Sequence, residues 1–446
     1  MDAVNVNANI RILPEAAILI VLGVGCVLAV FRPGAAYLSA VFLSIALPIP
    51  TMTFTRLNAV GAYFNLYDAC AVVVVGAVGS EIIRRRRVPK VAAVTWGMLA
   101  SVVLGACITA NSFGWSYETL RALRWALNVP LFAIAGSVML SDRRYDKGLL
   151  IALLMGALCA EVQHLYFVAR TDAIYTGKHL GDIRSSMFQL SKSHAWLLAG
   201  PLSFSGTWLV TIANLGVGGL FLTAAITTQT RTVALGLAGG LLIYGWWFVR
   251  PDREARKRYV MGVIIVFAVT SLVVVPGLGL GGTVESFTDR LRGVGARASM
   301  DESAWARWVA LSIESGDWMN GSVDAILFGN GLGYFDQKYY VSSGDLSNAV
   351  AFGHVGYVTY LSQLGVCGFV IYACWFPAVV LKNAYGLYSR TARGITKHLI
   401  ALAAATFIYD AVSFVFSGHY LVNDVLSGTL AGFVLAVKRS RHRTRS

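Results

Sequence analysis

The chain has 446 residues, of which 56% are hydrophobic and only 13% charged, and its mean hydropathy is +0.63. A soluble domain of this length carries about 25% charged residues, so a water-exposed globule is excluded. The formal net charge of +14 raises nucleic acid as a partner, but the basic residues fall in runs at alternate ends of apolar stretches, which is the pattern of a membrane protein and not of a nucleic-acid-binding face.

Apolar stretches of about 16–25 residues, each able to cross a hydrocarbon core of about 30 Å as a helix, recur along the chain. They lie near 16–31, 35–55, 60–80, 91–110, 122–140, 149–168, 195–209, 212–229, 232–249, 259–276, 355–381, 398–416 and 420–437. They predict an all-α, polytopic transmembrane bundle of about 12–13 helices, forming a single integral membrane domain over 1–446. The first stretch has no basic flank beyond Arg11 and no cleavage site, so it reads as retained. The six cysteines (Cys26, Cys70, Cys107, Cys159, Cys367 and Cys374) lie inside these stretches and form no CxxC pair, which reads as buried small hydrophobes.

The charge runs orient the bundle. Arg32, Arg84–Arg87 with Lys90, Arg143 to Lys147, Arg250 to Arg258, Lys382 to Lys397 and the tail from Lys438 fall on one side, giving about 23 basic against about 5 acidic residues there. The remainder of the chain holds about 14 basic and 18 acidic residues. This asymmetry predicts a cytoplasmic side for the runs and for the C-terminus. It also requires residues 195–229 to form a hairpin near Ser205–Trp208 or a non-spanning pair, because a single crossing there would put Arg253–Arg258 outside.

Two outer segments are long enough to work. The smaller loop, 169–194, contains Arg170, Lys178, His179, Arg184, Lys192 and His194; the larger, 277–350, carries nine acidic and five basic side chains. Within the larger, Ser299-Met-Asp-Glu302 is a capping-box pattern that opens a helix. Trp305, Trp308, Val309 and Ile313 then recur at helical spacing with Arg307 on another face, as in a helix lying at the headgroup level. Gly329-Asn-Gly-Leu-Gly333 follows and reads as a flexible turn, with no βαβ unit around it to make it a nucleotide loop. There is no Walker motif and no HExxH, so neither a metal nor another cofactor is expected.

Several residues could carry chemistry. Arg231 stands at an outer helix end in Thr227-Thr-Gln-Thr-Arg231, where it is either a snorkelling interfacial arginine or a phosphate ligand offering paired, charge-assisted hydrogen bonds. His354 opens the helix after the large loop; it is either a backbone cap or a general base, for which an unperturbed pKa of about 6.5 is suited. Asp68, Glu161, His164, Asp410 and Asp424 lie in or beside apolar stretches, where ionisable groups face the bundle interior and serve either pairing or function. Asp410 and Asp424 flank the outer turn Ser417-Gly-His-Tyr420 and could line an outer vestibule.

Four stretches together resemble the O-antigen ligase and O-antigen polymerase superfamily of bacterial membrane glycosyltransferases. Thr228-Gln-Thr-Arg231 resembles its (S/T)R motif, and Ala306-Arg307-Trp-Val-Ala-Leu311 its arginine-led loop helix. Leu327-Phe-Gly-Asn-Gly-Leu-Gly-Tyr-Phe335 resembles its GxGxGxF turn. The stretch from His354 to Gly365 resembles its HNxxLxxLxxxG helix, with Val355 in place of the asparagine. The resemblance covers about 180–375.

It implies transfer of a glycan from a polyprenyl-diphosphate-linked donor to a saccharide or lipid-linked acceptor, at the periplasmic face of the bacterial inner membrane and without a metal. By that resemblance Arg231 and Arg307 would hold the diphosphate and His354 would act on the acceptor, with Arg184 and His194 in the same cavity. The competing expectation is a transporter or flippase of lipid-linked sugars, a class marked by internal repeats and broken helices.

Overall fold

The computed structural model describes residues 14–46, 56–59, 62–86, 91–115, 117–170, 199–200, 216–223, 225, 231–249, 253–274, 276, 302–334, 338, 356–391, 394–415 and 425–443. They are almost entirely helical. In chain order the main helices are α1 (Pro14–Phe31), α2 (Pro33–Ala46), α3 (Leu66–Arg85), α4 (Ala93–Phe113), α5 (Tyr117–Met139) and α6 (Asp146–Arg170). Then come α7 (Arg231–Ile243), α8 (Arg253–Val269), α9 (Glu302–Met319), α10 (Val323–Phe328), α11 (Gly356–Phe369), α12 (Phe376–Tyr388), α13 (Ile395–Ser413) and α14 (Val425–Arg443). Wide π-type turns extend α7 over Tyr244–Val249 and α8 over Thr270–Val274, and join α11 to α12 over Val370–Trp375.

Among the described residues, five helices are long and apolar enough to cross a membrane: Leu66–Arg85, Ala93–Phe113, Ala122–Met139, Gly356–Tyr388 and Ile395–Ser413. Shorter apolar helices run over Ala17–Phe31, Pro33–Ala46, Leu235–Val249 and Val425–Lys438. The outer surface of the bundle is apolar, with Ile83 78% and Leu242 74% exposed, which water would penalise and lipid does not. The chain is a membrane protein. Of the expected spans 195–209 and 212–229, the described residues are 199–200, 216–223 and 225.

The helical fold carries one short hairpin: β1 (Arg56–Ala59) pairs antiparallel with β2 (Ala62–Asn65), Leu57 opposite Phe64. The helix expected at 60–80 therefore starts at Leu66. The reason is local. Asn65 Oδ1 accepts the Asp68 N–H at 3.0 Å and Asp68 Oδ2 accepts the Asn65 N–H at 2.9 Å, a reciprocal cap that satisfies two backbone donors at the helix start. Arg124 approaches Asp68 at 3.5 Å. Asp68 thus has a capping role. The cysteines also differ from expectation: Cys70 is buried, but Cys26, Cys107, Cys367 and Cys374 are exposed on the bundle surface.

At the centre lies α13, whose residues from Leu399 to Asp410 are all buried. A helix apolar all round belongs in the core. Around it, α5 and α14 make the most intimate pair. Gly428 and Gly432, four residues apart on α14, meet Val129, Ala133 and Gly136 of α5 so closely that a Cβ on Gly432 would lie 2.7 Å from the Gly136 Cα. Small residues at this spacing let backbones approach where lipid supplies no hydrophobic drive.

The helix ends sort into two groups. At one end Arg84 Nη2 donates to the Phe31 carbonyl at 3.1 Å, and Arg85 donates from Nε to Glu81 at 2.6 Å and from Nη1 to Ser141 Oγ at 2.5 Å. There too Thr396 Oγ1 donates to Asp146 Oδ2 at 2.5 Å, Lys397 Nζ sits 4.4 Å over the Tyr388 ring, and Phe248 packs on Tyr388 with centroids 4.6 Å apart. These contacts gather the described basic runs of α3, the α5–α6 turn, α8, α12 and α13 at one end of the bundle. The end of α4, the start of α7, the start of α11 and the end of α13 lie at the other.

Candidate functional site

The end opposite the basic runs is where the large loop docks. Its described part, α9, α10 and residues up to 334, folds on itself first. Trp318 Nε1 donates to the Ile326 carbonyl at 3.2 Å, and Ser322 Oγ caps α10 by accepting the Ala325 N–H at 3.3 Å. Lys338 Nζ meets Asp317 Oδ2 at 2.8 Å and lies 5.3 Å over the Tyr334 ring, which in turn packs 5.8 Å from Phe113 at the end of α4.

The turn Gly329–Gly333 is a wedge in the bundle. The Asn330 and Gly331 N–H groups donate to the Ser362 and Gln363 carbonyls of α11 at 2.8 and 3.0 Å, and the Leu332 N–H donates to the Gly105 carbonyl of α4 at 3.0 Å. Gly105 lies eight residues before the end of α4, so the turn reaches about 12 Å below that end at 1.5 Å per residue. Non-helical backbone at such depth survives only when buried in protein with its polar groups paired. Gly329, Gly331, Leu332 and Gly333 are buried, and the N–H groups of Gly329, Asn330, Gly331 and Leu332 are each paired, while the Asn330 Nδ2 amide is buried without a partner among the described residues.

The partner carbonyls are free because α11 is broken. Gly365 has φ 64° and ψ −175°, outside any helix. A Cβ on Gly365 would strike Gly329 N and the Leu327 carbonyl; one on Gly329 would strike the Gln363 carbonyl; one on Gly331 would strike Thr109 Oγ1. Gly329 and Gly331 have φ 85° and 99°. These glycines permit both the backbone conformation and the contact. The sequence reading as a flexible turn is corrected: the segment is a packed joint, held by backbone hydrogen bonds worth roughly 1 kcal/mol each, whose loss would orphan buried groups at about 1–3 kcal/mol apiece.

Six residues before the break, Thr359 Oγ1 donates to Glu314 Oε2 of α9 at 2.9 Å, and Glu314 is 1% exposed. The face of α9 that meets the bundle is therefore the one bearing position 314. Position 307 returns to within about 20° of it after seven residues, whereas position 305 lies on the opposite side of the helix. Among the four stretches singled out in the sequence, the structure brings three together: the α9 stretch, the Gly329–Gly333 turn and α11.

The fourth meets the same region through α13. Arg231 is the first residue of α7, and Gly236, five residues on, packs against Ser413 and Tyr409. From the other side, Gly356 of α11 lies against Phe414, and Tyr357 Oη donates to the Ala411 carbonyl at 3.0 Å. The starts of α7 and α11 thus both lie at the 409–414 end of α13.

The individual candidates fare unequally. His354, Arg184, His194 and Asp424 lie outside the described residues. Arg231 and Arg307 have described backbone only, at the start of α7 and in the second turn of α9. Asp410 is 1% exposed and accepts the Ser427 hydroxyl at 2.6 Å, which places it in the contact between α13 and α14. The sequence reading missed Glu314, Thr359 and the break at Gly365. A usable signal existed for the first: Glu314 sits seven residues after Arg307, on one helical face.

No protein-family model matches the chain, and no curated protein matches it.

Proposed function

We propose that this protein transfers a glycan from a polyprenyl-diphosphate-linked donor to an acceptor saccharide at the outer face of a bacterial inner membrane, as an O-antigen ligase or polysaccharide polymerase does. The observation that carries this reading is the convergence of α9, the Gly329–Gly333 turn and α11, with α7 reaching the same end, on the side of the bundle opposite the basic runs. With the basic side cytoplasmic, that end is periplasmic.

The chemistry asks for two things. Negative charge develops on the departing diphosphate, and arginine stabilises it with paired hydrogen bonds and no metal; these are the proposed roles of Arg231 and Arg307. The acceptor hydroxyl must lose its proton as it attacks the anomeric carbon, and the proposed base is His354. The acceptor oxygen forms the new glycosidic bond, the bond to the diphosphate oxygen breaks, and polyprenyl diphosphate leaves with the electron pair. The donor carries its own driving force, so no nucleotide is needed.

The break at Gly365 favours a second reading, transport of the same lipid-linked sugar, because discontinuous helices mark transporters. One experiment separates them. Purified protein in vesicles, given a polyprenyl-diphosphate-linked glycan and an acceptor saccharide, is expected to release polyprenyl diphosphate and extend the acceptor. Movement of intact donor between leaflets, with no release, would decide for the transporter.

A further inference from the structure

We infer that Glu314 is a positioning residue for this transfer, holding the loop helix that carries Arg307 in fixed register against the helix that follows His354; this rests on the function proposed above. Three observations support it. Glu314 is 1% exposed and accepts the Thr359 hydroxyl at 2.9 Å. Position 307 lies on the same face of α9, about 10 Å along the axis, seven residues at 1.5 Å each. Thr359 lies five residues after His354, so the hydrogen bond joins the two segments that bear the proposed diphosphate ligand and the proposed base.

The bond does not act alone. Three and four residues beyond Thr359, the Ser362 and Gln363 carbonyls receive Asn330 and Gly331. One attachment would let α9 pivot about it. Two attachments to the same short stretch of α11 fix rotation and translation together. A buried carboxylate is a costly way to join helices when apolar contact would serve. What it adds is direction: a hydrogen bond has one register, whereas apolar surfaces slide. Reaction geometry is sensitive to such sliding, since a misplacement of about 1 Å costs on the order of a hundredfold in rate.

The test uses two readouts on the full-length protein. Spin labels at the exposed positions 312 on α9 and 366 on α11, in a background lacking the native cysteines, report the distance between the helices. Turnover and donor KM are measured in parallel. Glu314→Ala and Thr359→Val are expected to broaden the distance distribution and lower kcat by roughly tenfold to a hundredfold. Donor KM should change less than about threefold, and the double variant should lose no more than either single one. Glu314→Gln keeps an oxygen acceptor for Thr359 and is expected to restore the narrow distribution and most of kcat. An unchanged distance distribution in Glu314→Ala would overturn the inference, whatever the turnover. Absence of transfer in the wild type would instead overturn the proposed function, and the distance arm would still decide whether Glu314 holds the helix.

Discussion

The two ends of the bundle solve the same problem in different ways. At the basic end, short connections leave helix termini near water, and side chains tie them: Arg84 to Phe31, Arg85 to Ser141, Thr396 to Asp146. At the opposite end, a loop inserts backbone into the bundle and pairs it with backbone: Asn330 with Ser362, Gly331 with Gln363, Leu332 with Gly105. Side-chain ties at an aqueous boundary are individually dispensable. Backbone ties in an apolar interior are not, because nothing else there can satisfy the freed groups. In the proposed function the basic end is scaffold and the opposite end is arranged around the site.

The largest effect expected from that contrast is chemical. Arg231→Ala and Arg307→Ala should abolish glycan transfer while expression and membrane insertion persist, and lysine at position 231 should rescue only part, since it lacks the planar paired geometry. Full activity in both alanine variants, measured as released polyprenyl diphosphate, would remove the arginine clamp from the account.

Next comes the joint itself. Gly365→Ala puts a side chain into a backbone conformation essentially reserved for glycine, at a cost of about 1–3 kcal/mol, and drives a Cβ into the Gly329–Leu327 backbone. Gly386→Ala, at the basic end of α12 with open space around it, should instead be neutral or stabilise by up to about 1 kcal/mol. Thermal unfolding of the two variants sharpens the comparison, and equal midpoints would break it.

A smaller effect concerns pH at the basic end. Burial raises the Asp146 carboxyl above its ordinary range, with the Thr396 hydroxyl and Arg143 pulling it part of the way back. The folded protein therefore binds this proton more tightly than the unfolded chain. Its contribution to stability is complete below the unfolded pKa of about 3.9 and is lost as pH rises through the higher folded value. Asp146→Asn should raise the unfolding midpoint at pH 7 and change it little near pH 4. An unchanged midpoint at pH 7 would show that the ionised carboxylate is fully compensated.

Much of the scaffold was legible in the sequence and little of the joint was. Apolar runs near 91–110 and 398–416 became helices at Ala93–Phe113 and Ile395–Ser413, because length and hydropathy alone decide what can span. The hairpin before Leu66 was not legible, since its residues share the apolar character of the helix they precede, and only the Asn65–Asp68 cap marks the boundary. Gly329–Gly333 reads in the sequence as a flexible turn, and its packing against Gly365 was not legible, because backbone contacts between segments some thirty residues apart leave no periodic trace. Glu314 carried no sequence signal of burial, yet it is the residue of α9 that meets Thr359 of α11.

The most direct test of the working end is His354→Ala in a protein shown by thermal unfolding to be intact, with donor binding and turnover measured on the same sample. Turnover is expected to fall by about two to four orders of magnitude, with donor binding changed far less, because in the proposed mechanism the base acts on the acceptor proton while arginines hold the diphosphate. Wild-type turnover in that stable variant would contradict it.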